Sequence, residues 1–172
     1  NSLSRGQPII EKILDEKINF NSGPAWLNQE VLKDRERIVV SGTHGKTTVA
    51  SLIAWILEEN GFHPGFLIGG VPGNFPLSAE LGDGKFFVIE GDEYDSAFFD
   101  KRSKFAHYDP DILIINNLEF DHADIFSNLA QIIDQFHYMV RAMASNAHII
   151  RPHKSNSIDK LIKKGCWSSL RT

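Results

Sequence analysis

Apolar residues along the chain form short continuous runs, which alternate with segments where apolar residues recur three and four positions apart. The continuous runs predict strands that are buried on both faces. Predicted strands lie at residues 38–40, 66–68, 86–89, 112–115 and 147–151. With helices between these strands, the pattern predicts an α/β fold in which a mostly parallel sheet carries helices on both faces.

The segments with helical spacing predict five helices. These helices are expected to begin near Pro8, Ser22, Val49, Ser127 and Ser157. Proline suits a first helical position and serine suits an N-cap. The third helix should end at Asn60-Gly61 and present one apolar face, formed by Val49, Leu52, Ile53, Ile56 and Leu57. A short alternating run, Lys17–Phe20, predicts one further strand.

The segment from Ser41 to Thr48, with the sequence SGTHGKTT, joins a predicted strand to a predicted helix. A strand, a glycine loop, a lysine, a hydroxyl and a helix together form the arrangement that holds a nucleotide triphosphate. Lys46 would reach the β- and γ-phosphates, and the Thr47 hydroxyl would bind Mg²⁺. The usual pattern has another glycine where this chain has Val40. The alternative is a glycine turn that caps a helix and leaves the lysine solvated.

Polar side chains follow two other predicted strands. Glu90 ends one strand, and the segment Asn117–His122 follows the next. Because the carboxyl ends of parallel strands meet at one edge of a sheet, both should lie beside the glycine loop. Glu90 and Thr47 would supply the oxygen ligands that Mg²⁺ prefers. His122 lies near several carboxylates in the sequence and is either a metal ligand or a packed histidine.

Composition and charge exclude several classes of partner. The formal net charge of −4 over 172 residues gives no basic footprint for nucleic acid. No apolar stretch approaches the ~20 residues that span a membrane. The single cysteine, Cys166, cannot form an internal disulfide, which fits a reducing, cytoplasmic location. The length suits one domain with part of a second, and the ends of the sequence suggest a fragment.

Three segments in this order and spacing resemble the Mur ligases, which are ATP-dependent enzymes of peptidoglycan assembly. The segments are Gly42–Thr48, Glu90–Asp95 and Asn117–Asp124. The Thr-His-Gly form of the loop resembles the branch that acts directly on UDP-N-acetylmuramate. Three further stretches resemble the part of that branch that adds a tripeptide: Ser22–Leu27, Ile68–Phe75 and Glu93–Phe105. Gly91–Asp95 reads Gly-Asp-Glu-Tyr-Asp, where the alanine-adding ligases usually have Ala-Asp-Glu-Ser-Asp.

The resemblance implies a reaction and a set of site residues. UDP-N-acetylmuramate would be activated by ATP as an acyl phosphate and joined to the murein tripeptide L-alanyl-γ-D-glutamyl-meso-diaminopimelate. The catalytic residues would be Lys46, Glu90 and His122, and the Mg²⁺ ligands would be Thr47, Glu90 and His122. The nucleotide would contact Gly42, Thr43, His44, Gly45, Lys46, Thr47, Thr48 and Asn117.

The resemblance also implies a division into domains. Residues 1–35 would be the tail of the UDP-sugar-binding domain, and residues 36–172 would be the first part of the P-loop-like central ATP-binding domain. The C-terminal domain that receives the amine is absent from this sequence, so the chain alone should not ligate. The alternatives are a UDP-N-acetylmuramate–L-alanine ligase and a truncated nucleotide-binding module without catalysis.

Overall fold

The structure is a computed structural model that describes residues 3–120 and 126–172. The helices are α1 (Pro8–Asp15), α2 (Gly23–Leu27), α3 (Lys46–Glu59), α4 (Leu129–Val140) and α5 (Asn156–Lys163). A π-helical turn (Asn28–Leu32) continues α2, and a 3₁₀ helix spans Lys104–His107. The strands are β1 (Glu36–Ser41), β2 (Gly65–Leu67), β3 (Ala79–Glu80), β4 (Phe86–Glu90), β5 (Asp95–Ala97), β6 (Asp100–Ser103), β7 (Ile112–Ile115), β8 (His148–Ile150) and β9 (Ser169–Arg171).

Seven strands form one sheet in the order β3-β2-β4-β1-β7-β8-β9. Every neighbouring pair is parallel except β2 and β3, which run antiparallel at one edge. Strand β1 lies at the centre, where Val40 is paired with Glu90 of β4 and with Ile114 of β7. The central position brings the end of β1 between the ends of two other strands.

The two faces of the sheet bury separate apolar layers, which confirms the predicted parallel sheet with helices on both faces. Successive residues of β1 point to opposite faces, so Val40 packs beneath α3 while Val39 packs beneath α4 and α5. Both valines are fully buried. The continuous apolar run in β1 exists because neither face of this strand meets water.

The five strands predicted from the continuous apolar runs are confirmed, but the strand predicted from an alternating run and some of the predicted helix starts were wrong. Lys17–Phe20 lies outside any strand. Helix α4 is capped by the Asn128 side chain and α5 by Ser155, each close to the serine that was predicted. The short strands β3, β5, β6 and β9 were not predicted, because none of them carries a continuous apolar run.

The buried face of α3 differs from the predicted one. Ala50 and Ala54 are fully buried against the sheet, whereas Leu52 and Ile56 are about half exposed, at 50% and 53%. Small residues lie on the inner face because α3 packs close to β1 and β4, leaving little room for larger side chains. Among the described residues, no helix is both long and apolar enough to cross a bilayer.

Candidate functional site

Two glycines shape the loop between β1 and α3. Gly42 has φ of 133° and Gly45 has φ of 76°, a region that side chains rarely allow. A Cβ at Gly42 would lie 2.8 Å from the Asn117 carbonyl oxygen, and one at Gly45 would lie 2.7 Å from Asn116 Nδ2. Both positions therefore require glycine, for backbone conformation and for space.

The loop delivers the chain to the N-terminus of a long helix. Gly45 is the N-cap of the fourteen-residue helix α3, so the backbone N–H groups of Lys46, Thr47 and Thr48 have no partner within the helix. These amides, with the positive end of the helix dipole, form a cradle suited to an anion. Gly45 and Thr48 are exposed, which leaves the cradle open to solvent.

Lys46 turns back over the loop instead of extending into solvent. Its Nζ donates to the Gly42 carbonyl at 2.6 Å and lies 2.9 Å and 3.1 Å from the two carboxylate oxygens of Glu93. The Glu93 side chain is 4% exposed and that of Lys46 is 13% exposed. Glu93 lies between Asp92 and Asp95 in an acidic stretch that follows β4. Its burial shows that it is not a surface group.

Thr47 and Glu90 meet, as predicted from the strand ends. Thr47 Oγ1 donates to the Glu90 carboxylate, at 2.9 Å and 3.1 Å from its two oxygens. The backbone N–H of Gly69, which follows β2, donates to Glu90 Oε2 at 2.7 Å. A hydroxyl and a carboxylate oxygen held together beside an anion cradle match the hard ligands that Mg²⁺ takes. These residues therefore fit the metal that the sequence predicted.

Asn117, which follows the end of β7, holds the loop between β1 and α3 by hydrogen bonds. Asn117 Oδ1 accepts from the His44 backbone N–H at 2.8 Å, and its Nδ2 donates to the His44 carbonyl at 3.0 Å. Thr43 Oγ1 accepts from the Glu119 N–H at 2.8 Å and donates to the Glu119 carbonyl at 3.1 Å. The side chains of Thr43 and Asn117 thus fix the shape of the loop.

His122 lies outside the described residues, so its role as a metal ligand stays a prediction. Within residues 3–120 and 126–172, no three side chains of the His, Cys, Asp and Glu types come together in a group that could hold a metal ion. In this part of the chain, the candidate metal site therefore consists of Thr47 and Glu90.

The Mur ligase middle domain, as a family model, matches residues 40–168 of the chain. The chain belongs to the Mur ligase family. It is 55% identical, over 98% of its length, to the UDP-N-acetylmuramate–L-alanyl-γ-D-glutamyl-meso-2,6-diaminoheptandioate ligase of Escherichia coli (strain K12). It is 40% identical, over 62% of its length, to the UDP-N-acetylmuramate–L-alanine ligase of Microcystis aeruginosa.

A solved structure gives the same relationship at the level of the fold. The UDP-N-acetylmuramate:L-alanyl-γ-D-glutamyl-meso-diaminopimelate ligase from Neisseria meningitides superposes with a TM-score of 0.93 at 49% identity, over 99% of this chain. The chain spans 56% of that structure and 37% of the length of the Escherichia coli relative. The Mur ligase fold predicted from the three segments is therefore confirmed.

In this Mur ligase chain a second ion pair lines the same cavity as Lys46 and Glu90. Lys104 Nζ lies 2.6 Å from Asp92 Oδ2, in a cavity of about 290 Å³. Partial burial acts to raise the pKa of Asp92, but hydrogen bonds from Lys104 and the Tyr94 N–H outweigh it and lower that pKa. The Asp92 side chain is therefore a carboxylate near neutral pH.

Proposed function

We propose that the full-length protein is an ATP-dependent ligase that joins UDP-N-acetylmuramate to the tripeptide L-alanyl-γ-D-glutamyl-meso-diaminopimelate. In this proposal the described chain supplies the phosphate- and metal-binding part of the enzyme. The observation that carries it is the contact between Thr47 Oγ1 and the Glu90 carboxylate, 2.9 Å apart beside the glycine loop. The 55% identity to the tripeptide-adding relative supports this acceptor.

The loop would bind the phosphates of ATP through the residues Gly42, Thr43, His44, Gly45, Lys46, Thr47 and Thr48, with Asn117 as their brace. The first-turn amides of α3 and the Lys46 ammonium supply positive charge where the phosphates would lie. In phosphoryl transfer the protein contributes mainly positioning and charge stabilisation. The rigid loop, with both glycines and Asn117 committed to its shape, is suited to that task.

Thr47 and Glu90 would hold Mg²⁺, which supplies charge neutralisation for the phosphates when bound. His122 would contribute to a second Mg²⁺ site near the lactyl carboxylate of the sugar nucleotide, as the resemblance implies. The lactyl carboxylate would attack the γ-phosphorus of ATP, which releases ADP and forms an acyl phosphate. The N-terminal amine of the tripeptide would then attack the acyl carbon, which forms the amide and releases phosphate and a proton. Lys46 would offset charge on the transferred phosphoryl group throughout.

The domain division belongs to the same proposal. Residues 1–35 would be the tail of the UDP-sugar-binding domain, and residues 36–172 the first part of the ATP-binding domain. The family model begins at residue 40, close to the proposed boundary. Because the chain spans 37% of the length of the Escherichia coli relative, we expect no ligation by the chain alone, and amide formation by it would contradict this division.

The test is Lys46→Ala in the full-length protein, with formation of the UDP-sugar tripeptide product as the measurement. We expect a loss of at least about 100-fold, because a donor to the transferring phosphoryl group is removed. Lys12→Ala is the matched control, since Lys12 is an exposed lysine on α1. Unchanged turnover in Lys46→Ala would remove the assigned role of this lysine.

A second candidate, ligation of free L-alanine, is favoured by the 40% identity to an alanine-adding relative. Offering L-alanine and the tripeptide separately to the full-length protein decides between them. We expect the tripeptide to give the higher kcat/KM. A higher value for L-alanine would establish the second candidate, and ATP binding without either product would favour a non-catalytic nucleotide-binding module.

A further inference from the structure

The contacts of Lys46 account for all three of its N–H donors. Nζ lies 2.6 Å from the Gly42 carbonyl, 3.3 Å from the Thr43 carbonyl and 2.9 Å from Glu93 Oε2. An ammonium group has three donors and no acceptor. A phosphate oxygen can therefore bind this group only by sharing or replacing one of these partners.

Glu93 is held in place by hydrogen bonds to its own backbone and to that of Tyr94. Ser103 Oγ, which is 1% exposed at the end of β6, donates to the Glu93 carbonyl at 2.7 Å. The neighbouring Lys104 N–H donates to the Tyr94 carbonyl at 3.0 Å. The hairpin of β5 and β6 therefore fixes the segment that carries Glu93, and its carboxylate stays under the loop.

The charges around Lys46 do not favour an anion that arrives alone. Among residues 3–120 and 126–172, the charged side chains that line the cavity of Lys46 are two lysines and three carboxylates, namely Lys46, Lys104, Glu90, Asp92 and Glu93. Lys104 is paired with Asp92 and Lys46 with Glu93, which leaves Glu90 as an additional negative charge. Beside the first-turn amides of α3, a nucleotide phosphate without a cation would thus meet side chains whose summed charge has its own sign.

We propose that Glu93 is a positioning residue for Lys46. The Glu93 carboxylate offsets the charge of the Lys46 ammonium, so that the loop binds nucleotide phosphate poorly unless a divalent cation accompanies the nucleotide. The inference rests on the proposed phosphate-binding function of this loop. Glu93 acts through Lys46 and touches neither the phosphates nor the metal in this scheme. Its effect should therefore appear in the metal dependence of nucleotide binding and disappear when Lys46 is removed.

The experiment measures the Kd of the full-length protein for ADP by calorimetry, with excess EDTA and with excess Mg²⁺. In Glu93→Gln, which keeps the length of the side chain, metal-free ADP should bind about tenfold more tightly. The ratio of the Kd in EDTA to the Kd in Mg²⁺ should fall accordingly, because loss of the Glu93 charge strengthens the binding of the ADP–Mg²⁺ complex less than the binding of ADP alone. In a Lys46→Met background, Glu93→Gln should change that ratio less than about twofold.

Asp92→Asn is the matched control, because it removes one negative charge from the same cavity while its partner is Lys104. We expect it to change the ratio less than about threefold. An equal change in Asp92→Asn and Glu93→Gln would overturn the inference, since net charge alone would then explain the effect. A Glu93→Gln effect that persists without Lys46 would also overturn it. An unaltered protein that binds ADP under neither condition would remove the proposed function and this inference together.

A measurement on the unaltered protein covers the case in which Glu93→Gln does not fold. The ¹⁵N-detected ammonium signal of Lys46 should be protected from solvent exchange without nucleotide, unlike that of Lys12 on α1, and should shift when ADP and Mg²⁺ are added. A Lys46 ammonium that exchanges as fast as that of Lys12 would show that the pairing with Glu93 is not maintained, and the inference would fail.

Discussion

The hydroxyl of Thr47 donates to the carboxylate of Glu90, although the two residues are 43 positions apart in the sequence. Thr47 lies in the first turn of α3 and Glu90 ends β4. They meet because β1 and β4 are parallel neighbours whose carboxyl ends share one edge of the sheet. The two side chains proposed as Mg²⁺ ligands are thus held together in advance, which would lower the ordering cost of binding a cation.

Glu90→Gln in the full-length protein should weaken the binding of Mg²⁺ by about 100-fold, because a neutral amide replaces an anionic oxygen ligand. The measurement is the Mg²⁺ concentration that gives half-maximal ligation, with half-maximal ADP binding as a second readout. Glu80→Gln, on the exposed edge strand β3, is the control and should leave both midpoints unchanged. An unshifted midpoint in Glu90→Gln would rule out Glu90 as a ligand.

Gly42→Ala should destabilise the chain by about 2 kcal/mol, because alanine is strained at a φ of 133° and its Cβ would collide with the Asn117 backbone. Urea unfolding of the chain gives the free energy of unfolding. Gly23→Ala is the control, since nothing lies within 4 Å of a Cβ there. If both variants unfolded at the same urea concentration, the conclusion that the loop approaches Asn117 closely at Gly42 would be wrong.

The fold and the meeting of Glu90 with Thr47 could be predicted from the sequence because the signals were local. Runs of valine and isoleucine marked the strands, and the strand ends placed Glu90 beside the loop. Glu93 was not assigned to Lys46, because no periodicity links a residue beyond a strand end to a lysine 47 positions earlier. Burial of its carboxylate is a property of the folded chain. His122 remains a prediction outside the described residues.

Acid should lower the free energy of unfolding of the chain, partly through protonation of Asp100. A hydrogen bond from Arg102 lowers the pKa of Asp100 to about 2, against about 4 for an unfolded aspartate. The unfolded state therefore binds more protons between these values, so this group's contribution to stability is present above about pH 4 and is lost as the pH falls towards 2. Asp100→Asn should reduce stability near neutral pH and flatten its pH dependence in that window.

Free energies of unfolding measured by urea titration from pH 7 to pH 2 test this. Asp83→Asn, in an exposed loop, is the control and should leave the acid limb unchanged. Burial is the main cause of the lowered pKa of the neighbouring His107. The stability that His107 contributes is therefore lost as the pH falls below about 6.5, which is a different pH range from that of Asp100. An Asp100→Asn variant with the same slope as the unaltered chain between pH 4 and pH 2 would contradict the assignment.

The inner face of α3 predicts how two substitutions on this helix rank in their effect on stability. The apolar pattern alone would predict the opposite ranking. The pattern marks Leu52 as a core residue, yet Leu52 is 50% exposed and Ala54 is fully buried. Ala54→Leu should therefore cost about 2 kcal/mol, because added methylenes cannot fit between α3 and the sheet. Leu52→Ala, which removes as many carbons as Ala54→Leu adds on the same helix, should change stability by about 0.5 kcal/mol or less. Urea unfolding of the two variants compares them directly, and a larger loss in Leu52→Ala would mean that α3 turns its leucine face to the core.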